Sequence, residues 1–95
     1  DCSHGNSGKD HRRQAGVAAD VCDQLGAGSL RIIGVMIESH LVEGRQDARP
    51  GSALVHGQSI TDACLSLAQT VPVLERLARS RAAAARARHH RAAGR

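Results

Sequence analysis

No Phe, Tyr or Trp occurs anywhere in the 95 residues. Aromatic side chains carry much of the buried area of ordinary cores, so Leu, Ile, Val and Ala must supply any core here. The same absence removes the stacking platforms that hold single-stranded nucleic acid. Three cysteines, Cys2, Cys22 and Cys64, are odd in number and widely spaced. They form no CxxC pair and no closed disulfide framework, and they fit a reducing, cytoplasmic setting. No apolar run approaches the ~20 residues needed to span a bilayer, and no charged segment leads into a hydrophobic one in the manner of a signal peptide. The first residue is Asp, not Met, and it falls inside what reads as a strand end. A partial sequence of a longer protein is therefore expected.

What is present is small and uneven. A single domain of this size buries only a modest part of its surface, and ten glycines raise the conformational entropy that folding must overcome. The formal net charge of +4 belongs to one end. Residues 71–95 hold seven Arg and a single acid, Glu75, whereas residues 1–70 carry more acids than bases. A high isoelectric point produced by a tail is poor support for nucleic-acid recognition.

Residues 1–6 read as the end of a buried strand entering a loop. Ser7 is expected to cap a helix that reaches Leu25, with Asp10 as an acidic partner in its first turn. Val17, Ala18, Val21, Cys22 and Leu25 fall at helical spacing, and Gly26 and Gly28 end the run. Leu30–Ile37 is a short, nearly continuous apolar stretch, the pattern of a parallel strand buried on both faces. It stops abruptly at Glu38, Ser39 and His40. A long polar loop is expected over residues 41–69. Thr70 is then the expected cap of a last helix, with Pro72 in its first turn and an apolar stripe of Val71, Leu74, Leu77 and Ala78. Beyond Arg79 no apolar face remains, and a solvated helical tail follows. Strands alternating with helices indicate an α/β fold with parallel pairing, and two strands require neighbours that this chain lacks.

In α/β barrels the reactive groups stand at the C-terminal ends of strands and on the loops that follow. His4 and Glu38 occupy such places, and Asp62 lies in the long loop. One imidazole and two carboxylates make a mixed N and O set suited to Mn, Fe, Co or Zn. Taken alone, such residues are more often a hydrogen-bonded histidine, a solvated carboxylate and a turn cap.

Three segments change that balance: DCSHGNS at the start, IIGVMIESHLVEG in the middle and SITDAC near residue 60. Their order and separations resemble the last three signature segments of the type I 3-deoxy-D-arabino-heptulosonate 7-phosphate synthases. The resemblance runs from Asp1 to about Cys64. It implies the last βα units of a (β/α)8 TIM barrel, incomplete in this chain. Residues 1–70 would be C-terminal strands and active-site loops, and residues 71–95 the final helix with its Arg/Ala-rich tail. It implies a cytoplasmic, homo-oligomeric enzyme that condenses phosphoenolpyruvate with erythrose 4-phosphate in the first step of the shikimate pathway. It also implies a divalent metal held by His4, Glu38 and Asp62, the last lying close to the sugar phosphate as well. The family's metal-binding Cys has no counterpart here, because neither Cys2 nor Cys64 stands in its context. Its Lys-Pro-Arg-Thr substrate clamp is also missing, so the chain alone is expected to be inactive. Leu67, Ala68 and Gln69 replace the family's Trp-Glu-Asp.

Other residues carry weaker expectations. His40 and His56 are candidates to line the site. His11, His89 and His90 are expected at the surface, and Cys22 as a small apolar helix residue. Lys9, Arg12 and Arg13 read as a solvated face, with phosphate sensing as the alternative. Two other readings of the whole chain are an inert truncated remnant and a small basic protein associating with nucleic acid through its tail. No zinc-finger or RNA-binding signature supports the latter.

Overall fold

The computed structural model describes the backbone of residues 1–93 and the side chains as far as His89. After Asp1, Cys2 and Ser3 the chain makes a 3-10 turn, His4–Ser7, and a second one, His11–Arg13. Helix α1 follows at Gln14–Gly26. Four short strands come next: β1 Ser39–His40, β2 Val42–Arg45, β3 Gln58–Ser59 and β4 Leu65–Ser66. Helix α2, Leu67–Ala93, closes the described chain.

The caps fall where local hydrogen bonds place them rather than where composition suggests. Ser7 caps nothing, because its hydroxyl donates to the His4 carbonyl at 3.2 Å. Asp10 takes the role one turn later, its carboxylate accepting from the Arg12 N–H at 3.1 Å. Gly8, at φ 62°, makes the left-handed break between the two 3-10 turns, a conformation glycine adopts at little cost. At the start of α2, Ser66 and not Thr70 is the cap. The Ser66 hydroxyl accepts from the Gln69 N–H at 3.1 Å, and the Gln69 side chain accepts from the Ser66 N–H at 2.8 Å. This reciprocal pair satisfies two otherwise orphaned donors. Thr70 lies inside the helix, bonded back to the Ser66 carbonyl at 2.8 Å and to the Ser39 hydroxyl at 2.6 Å. Pro72 consequently sits in the second turn.

Strand pairing is parallel in both sheets. Ser39 and His40 of β1 pair with Leu65 and Ser66 of β4, and Val42 and Arg45 of β2 pair with Gln58 and Ser59 of β3 through an irregular register. Gly44 and Cys64 exchange both backbone bonds, at 2.8 and 3.1 Å, and join the two small sheets. The segment expected as one polar loop thus holds three strands and folds back on the end of the apolar run.

That apolar run itself departs from expectation. Leu30–Ile37 carries no strand ladder, although Cys2 donates to the Met36 carbonyl at 2.9 Å. Ile33 is 98% exposed and Leu30 71%, where burial on both faces was expected. A parallel strand is buried only when strands flank it and helices cover it, and among the described residues those neighbours are not there.

The core lies between the helices. Cys2, Ala18 and Val73 form its centre, with Val17, Ile37 and Leu77 packed around them. The small Ala18 and Cys22 allow α2 to approach α1 closely. The buried line on α2 is Thr70, Val73 and Ala84 with half-buried Leu77, not the expected Val71, Leu74 and Ala78, which face outward. Helix α2 then runs past the body. Its Arg-rich part is helical to Ala93, and of the side chains described from Arg79 to His89 only Ser80, Ala84 and Arg88 are covered in whole or part. His89 is exposed as expected; His90 lies outside the described side chains. The radius of gyration is 17.1 Å, against about 12 Å for a compact domain of this length.

Such a structure should not unfold as one unit on its own. Hydrogen exchange on the 95-residue chain is expected to show unprotected amides through Leu30–Ile37 and no sharp thermal transition. A cooperative transition with protected amides in that segment would contradict this.

Candidate metal centre

The first loop is built from its own polar side chains. His4 adopts φ 53°, a left-handed conformation uncommon outside glycine and associated with functional sites. Two bonds to its carbonyl hold it there, from the Lys9 N–H at 2.7 Å and the Ser7 hydroxyl at 3.2 Å. Its ring is fixed at both ends. Nδ1 lies 3.0 Å from Asp1 Oδ2, and Nε2 lies 3.6 Å from Glu38 Oε1 and 3.3 Å from Asp62 Oδ2.

Glu38 stands between the apolar run and β1, and Gln14 holds it there. Gln14 is fully buried. Its side-chain oxygen accepts from the Glu38 N–H at 2.7 Å, and its side-chain nitrogen donates to the Glu38 carbonyl at 3.0 Å. Leu65 of β4 donates to the same carbonyl at 3.0 Å. The first turn of α1 and strand β4 therefore grip the backbone of one residue, Gln14 at the Glu38 N–H and carbonyl and Leu65 at the same carbonyl. The Glu38 carboxylate points back to the first loop, where the Ser3 hydroxyl donates to Oε1.

Asp62 arrives from the turn between β3 and β4. The Ser59 hydroxyl accepts from the Thr61 N–H at 3.1 Å and shapes this turn. Arg45 donates to the Thr61 carbonyl at 2.8 Å and pins it to β2. Gly57, at φ 80°, feeds the preceding strand; a Cβ there would fall 2.8 Å from Leu41 Cβ, so only glycine fits. The result places ligand atoms of His4, Glu38 and Asp62 within 4.8 Å of one another. No thiol joins the group among the described residues.

A cavity of about 230 Å³ opens on these three residues. Ser3, Lys9, His11, Arg45, Thr61 and Ala63 complete its wall. Lys9 thus faces the site, whereas Arg12 and Arg13 turn to Asp10, at 3.3 and 3.9 Å. His11, expected at the surface, is largely covered and bonds Glu43 at 2.8 Å. That bond holds the Glu43 carboxyl below the usual glutamate range. Arg45 is paired with Asp47 at 2.8 Å. His40 and His56, expected to line the site, do neither: both are exposed, and His40 accepts from the neighbouring Leu41 N–H. Burial raises the Cys64 thiol above its ordinary pKa, and its sulfur donates to the Asp62 carbonyl at 3.4 Å. Cys22 is buried in α1, as expected.

Sequence reasoning missed Asp1, Ser3 and Gln14. Asp1 and Ser3 flank His4 in the DCSHGNS segment, so proximity was the available signal. Gln14 offered none, because a polar residue in the first turn of a helix is ordinarily solvated.

Comparison with known proteins gives a consistent result. The family model described as the DAHP synthetase I family matches residues 1–75. The chain is 55% identical over 82 residues to the tyrosine-inhibited phospho-2-dehydro-3-deoxyheptonate aldolase of Schizosaccharomyces pombe, covering 82% of this chain and 22% of that protein. It is 51% identical over 78 residues to the Phe-sensitive phospho-2-dehydro-3-deoxyheptonate aldolase of Escherichia coli, again 82% of this chain and 22% of the relative. The solved phospho-2-dehydro-3-deoxyheptonate aldolase of Francisella tularensis superposes with a TM-score of 0.79 at 49% identity, over 87% of this chain and 24% of that one. The chain thus spans between a fifth and a quarter of the length of these relatives.

Gln14→Ala, made in the natural protein that carries these residues, should leave the Glu38 N–H unsatisfied and cost about 1–3 kcal/mol of stability. The shift in the urea midpoint measures it. An unchanged midpoint would show that water replaces the side chain without loss.

Proposed function

The chain belongs to the DAHP synthetase I family, and we propose that it is the C-terminal part of a 3-deoxy-D-arabino-heptulosonate 7-phosphate synthase in which His4, Glu38 and Asp62 hold one divalent metal ion. The observation that carries this is the convergence of three potential ligands from three separate segments on one point. Their donor set fits Mn, Fe, Co or Zn. Atoms bound ~2.1 Å from a common ion at tetrahedral angles lie roughly 3.4 Å apart. The 3.3 and 3.6 Å separations from His4 Nε2 are close to that spacing. A thiol from outside these residues would complete the set.

In this proposal the whole protein is a (β/α)8 barrel, with His4 and Glu38 at the ends of neighbouring strands and Asp62 folded over the rim. It joins phosphoenolpyruvate to erythrose 4-phosphate, with water adding at the phosphate-bearing carbon and phosphate leaving. A bound ion would supply a Lewis acid for the sugar aldehyde oxygen. The residues of this chain prepare the place for it. His4 offers the Nε2 lone pair. Ser3 holds the Glu38 carboxylate against rotation, and Gln14 fixes the peptide beneath it. Asp62, the most exposed of the three at 63%, is open both to the ion and to a substrate hydroxyl. Lys9 and Arg45 bring positive charge to the same cavity, where anionic substrates must enter. No helix of the described residues is long and apolar enough to cross a membrane.

Glu38→Gln in the natural protein should lower bound metal and activity together, with the rate partly recovered by added Mn²⁺. Asp62→Asn should recover less, since that residue also meets substrate. Activity against Mn²⁺ concentration, with bound metal counted in parallel, is the measurement. Unchanged metal content and activity in the Glu38 variant would refute the ligand assignment. The isolated 95-residue chain, given both substrates and excess Mn²⁺, should show no turnover above a metal-only blank.

A further inference from the structure

The four polar side chains around His4 are not equivalent to a solvated loop. Asp1 accepts two bonds with its two carboxylate oxygens, from the Ser3 N–H at 2.7 Å and from the His4 ring at 3.0 Å. The Asn6 side chain donates to the Asp1 carbonyl at 2.7 Å. Asp1 is thus held at its backbone and at one oxygen, and its second oxygen meets Nδ1 of His4. An ordinary exposed ion pair has none of these restraints and contributes little.

We infer that Asp1 is a positioning residue that sets the tautomer and aim of His4. The inference rests on the metal-site reading given above. Only one ring nitrogen of a neutral imidazole carries hydrogen. Asp1 accepts and cannot donate, so it draws that hydrogen to Nδ1. Nε2 is left with its lone pair, and Nε2 is the atom that faces Glu38 and Asp62. A carboxylate behind a metal-bound histidine also raises the basicity of the ligating nitrogen, and its loss typically weakens metal affinity about 10–100-fold. Without Asp1, both tautomers and both ring flips become accessible, and the left-handed His4 backbone is retained with no matching gain at the ring.

The roles of the motif's polar residues then separate by distance. Asp1 acts on the ring of His4, Ser7 on its carbonyl, Ser3 on Glu38, and Asn6 on Asp1. None of Asp1, Ser7 or Asn6 reaches the convergence point itself. Their substitution should act on affinity through His4 rather than by removing a ligand.

The test compares Asp1→Ala, Asp1→Asn and Glu38→Gln in the natural protein, by titrating the metal-free protein with Co²⁺ and Zn²⁺. Asp1→Ala should weaken binding about 10–100-fold, with the thermal midpoint of the metal-free protein unchanged. Asp1→Asn keeps an acceptor oxygen toward Nδ1 and should recover part of that loss. In the Zn²⁺ form, nitrogen NMR of labelled histidine should place the hydrogen on Nδ1 of His4 in the unaltered protein and in Asp1→Asn. If Asp1→Ala binds as tightly as the unaltered protein while Glu38→Gln does not, the positioning role is overturned and the metal site stands. Equal weakening by Ala and Asn, with a lowered thermal midpoint, would make Asp1 a purely structural residue and also overturns it. If Glu38→Gln binds normally, the metal-site reading fails first.

Discussion

Everything near the site depends on one buried amide. Gln14 spends its side-chain oxygen and nitrogen on the main chain of a single residue, Glu38. A polar group buried without partners costs free energy, so full burial of Gln14 is tolerable only while both bonds are made. The constraint works in both directions. Helix α1 cannot shift without breaking them, and the chain at Glu38 cannot slide in register without moving the carboxylate. Leu65 then completes the grip from β4, and β4 leads directly into α2. The first loop, both helices and the Asp62 turn are thereby referred to the backbone of one residue, Glu38.

Charge at the site is balanced locally rather than by the tail. Glu38 and Asp62 face the imidazole of His4, Asp1 stands behind it, and Lys9 and Arg45 share the cavity wall. The nearby acids each have a basic or amide partner: Glu43 has His11, Asp47 has Arg45, and Asp10 has the 3-10 turn at His11–Arg13. The Arg-rich part of α2 is not among these partners. Its charge lies beyond residue 75, where the family match ends.

The candidate ligands were found in the sequence by a different route from the fold. Glu38 follows an abrupt apolar-to-polar transition that marks a strand end, but Asp62 lies within a polar loop, and what grouped it with His4 and Glu38 was the resemblance of the segments DCSHGNS, IIGVMIESHLVEG and SITDAC, not periodicity. Helix α1 was legible as well, since its buried residues recur at helical spacing. Leu30–Ile37 was misread because an apolar run reports what a segment would bury if neighbours were supplied, and burial needs the neighbours. The caps of α2 were misread because Ser66 and Thr70 are both acceptable capping residues; the decision came from Gln69, whose side chain can reach back only to Ser66. Of the expected stripe on α2 only Leu77 packs inward, and Val73 replaces Val71 and Leu74 because the helix docks on small Ala18, a tertiary preference that periodicity cannot express.

Pro72 has no N–H for the Ala68 carbonyl, so the second turn of α2 lacks a rung while the turns beyond it are complete to Ala93. At ~1.5 Å per residue the stretch beyond Pro72 is about 30 Å long. A bend of about 10° at the missing rung would carry its far end roughly 5 Å sideways, with no other bond in the helix disturbed. The missing rung is therefore where α2 bends at least cost, and any bend there shifts Val73 and Leu77, which lie just beyond it, against α1.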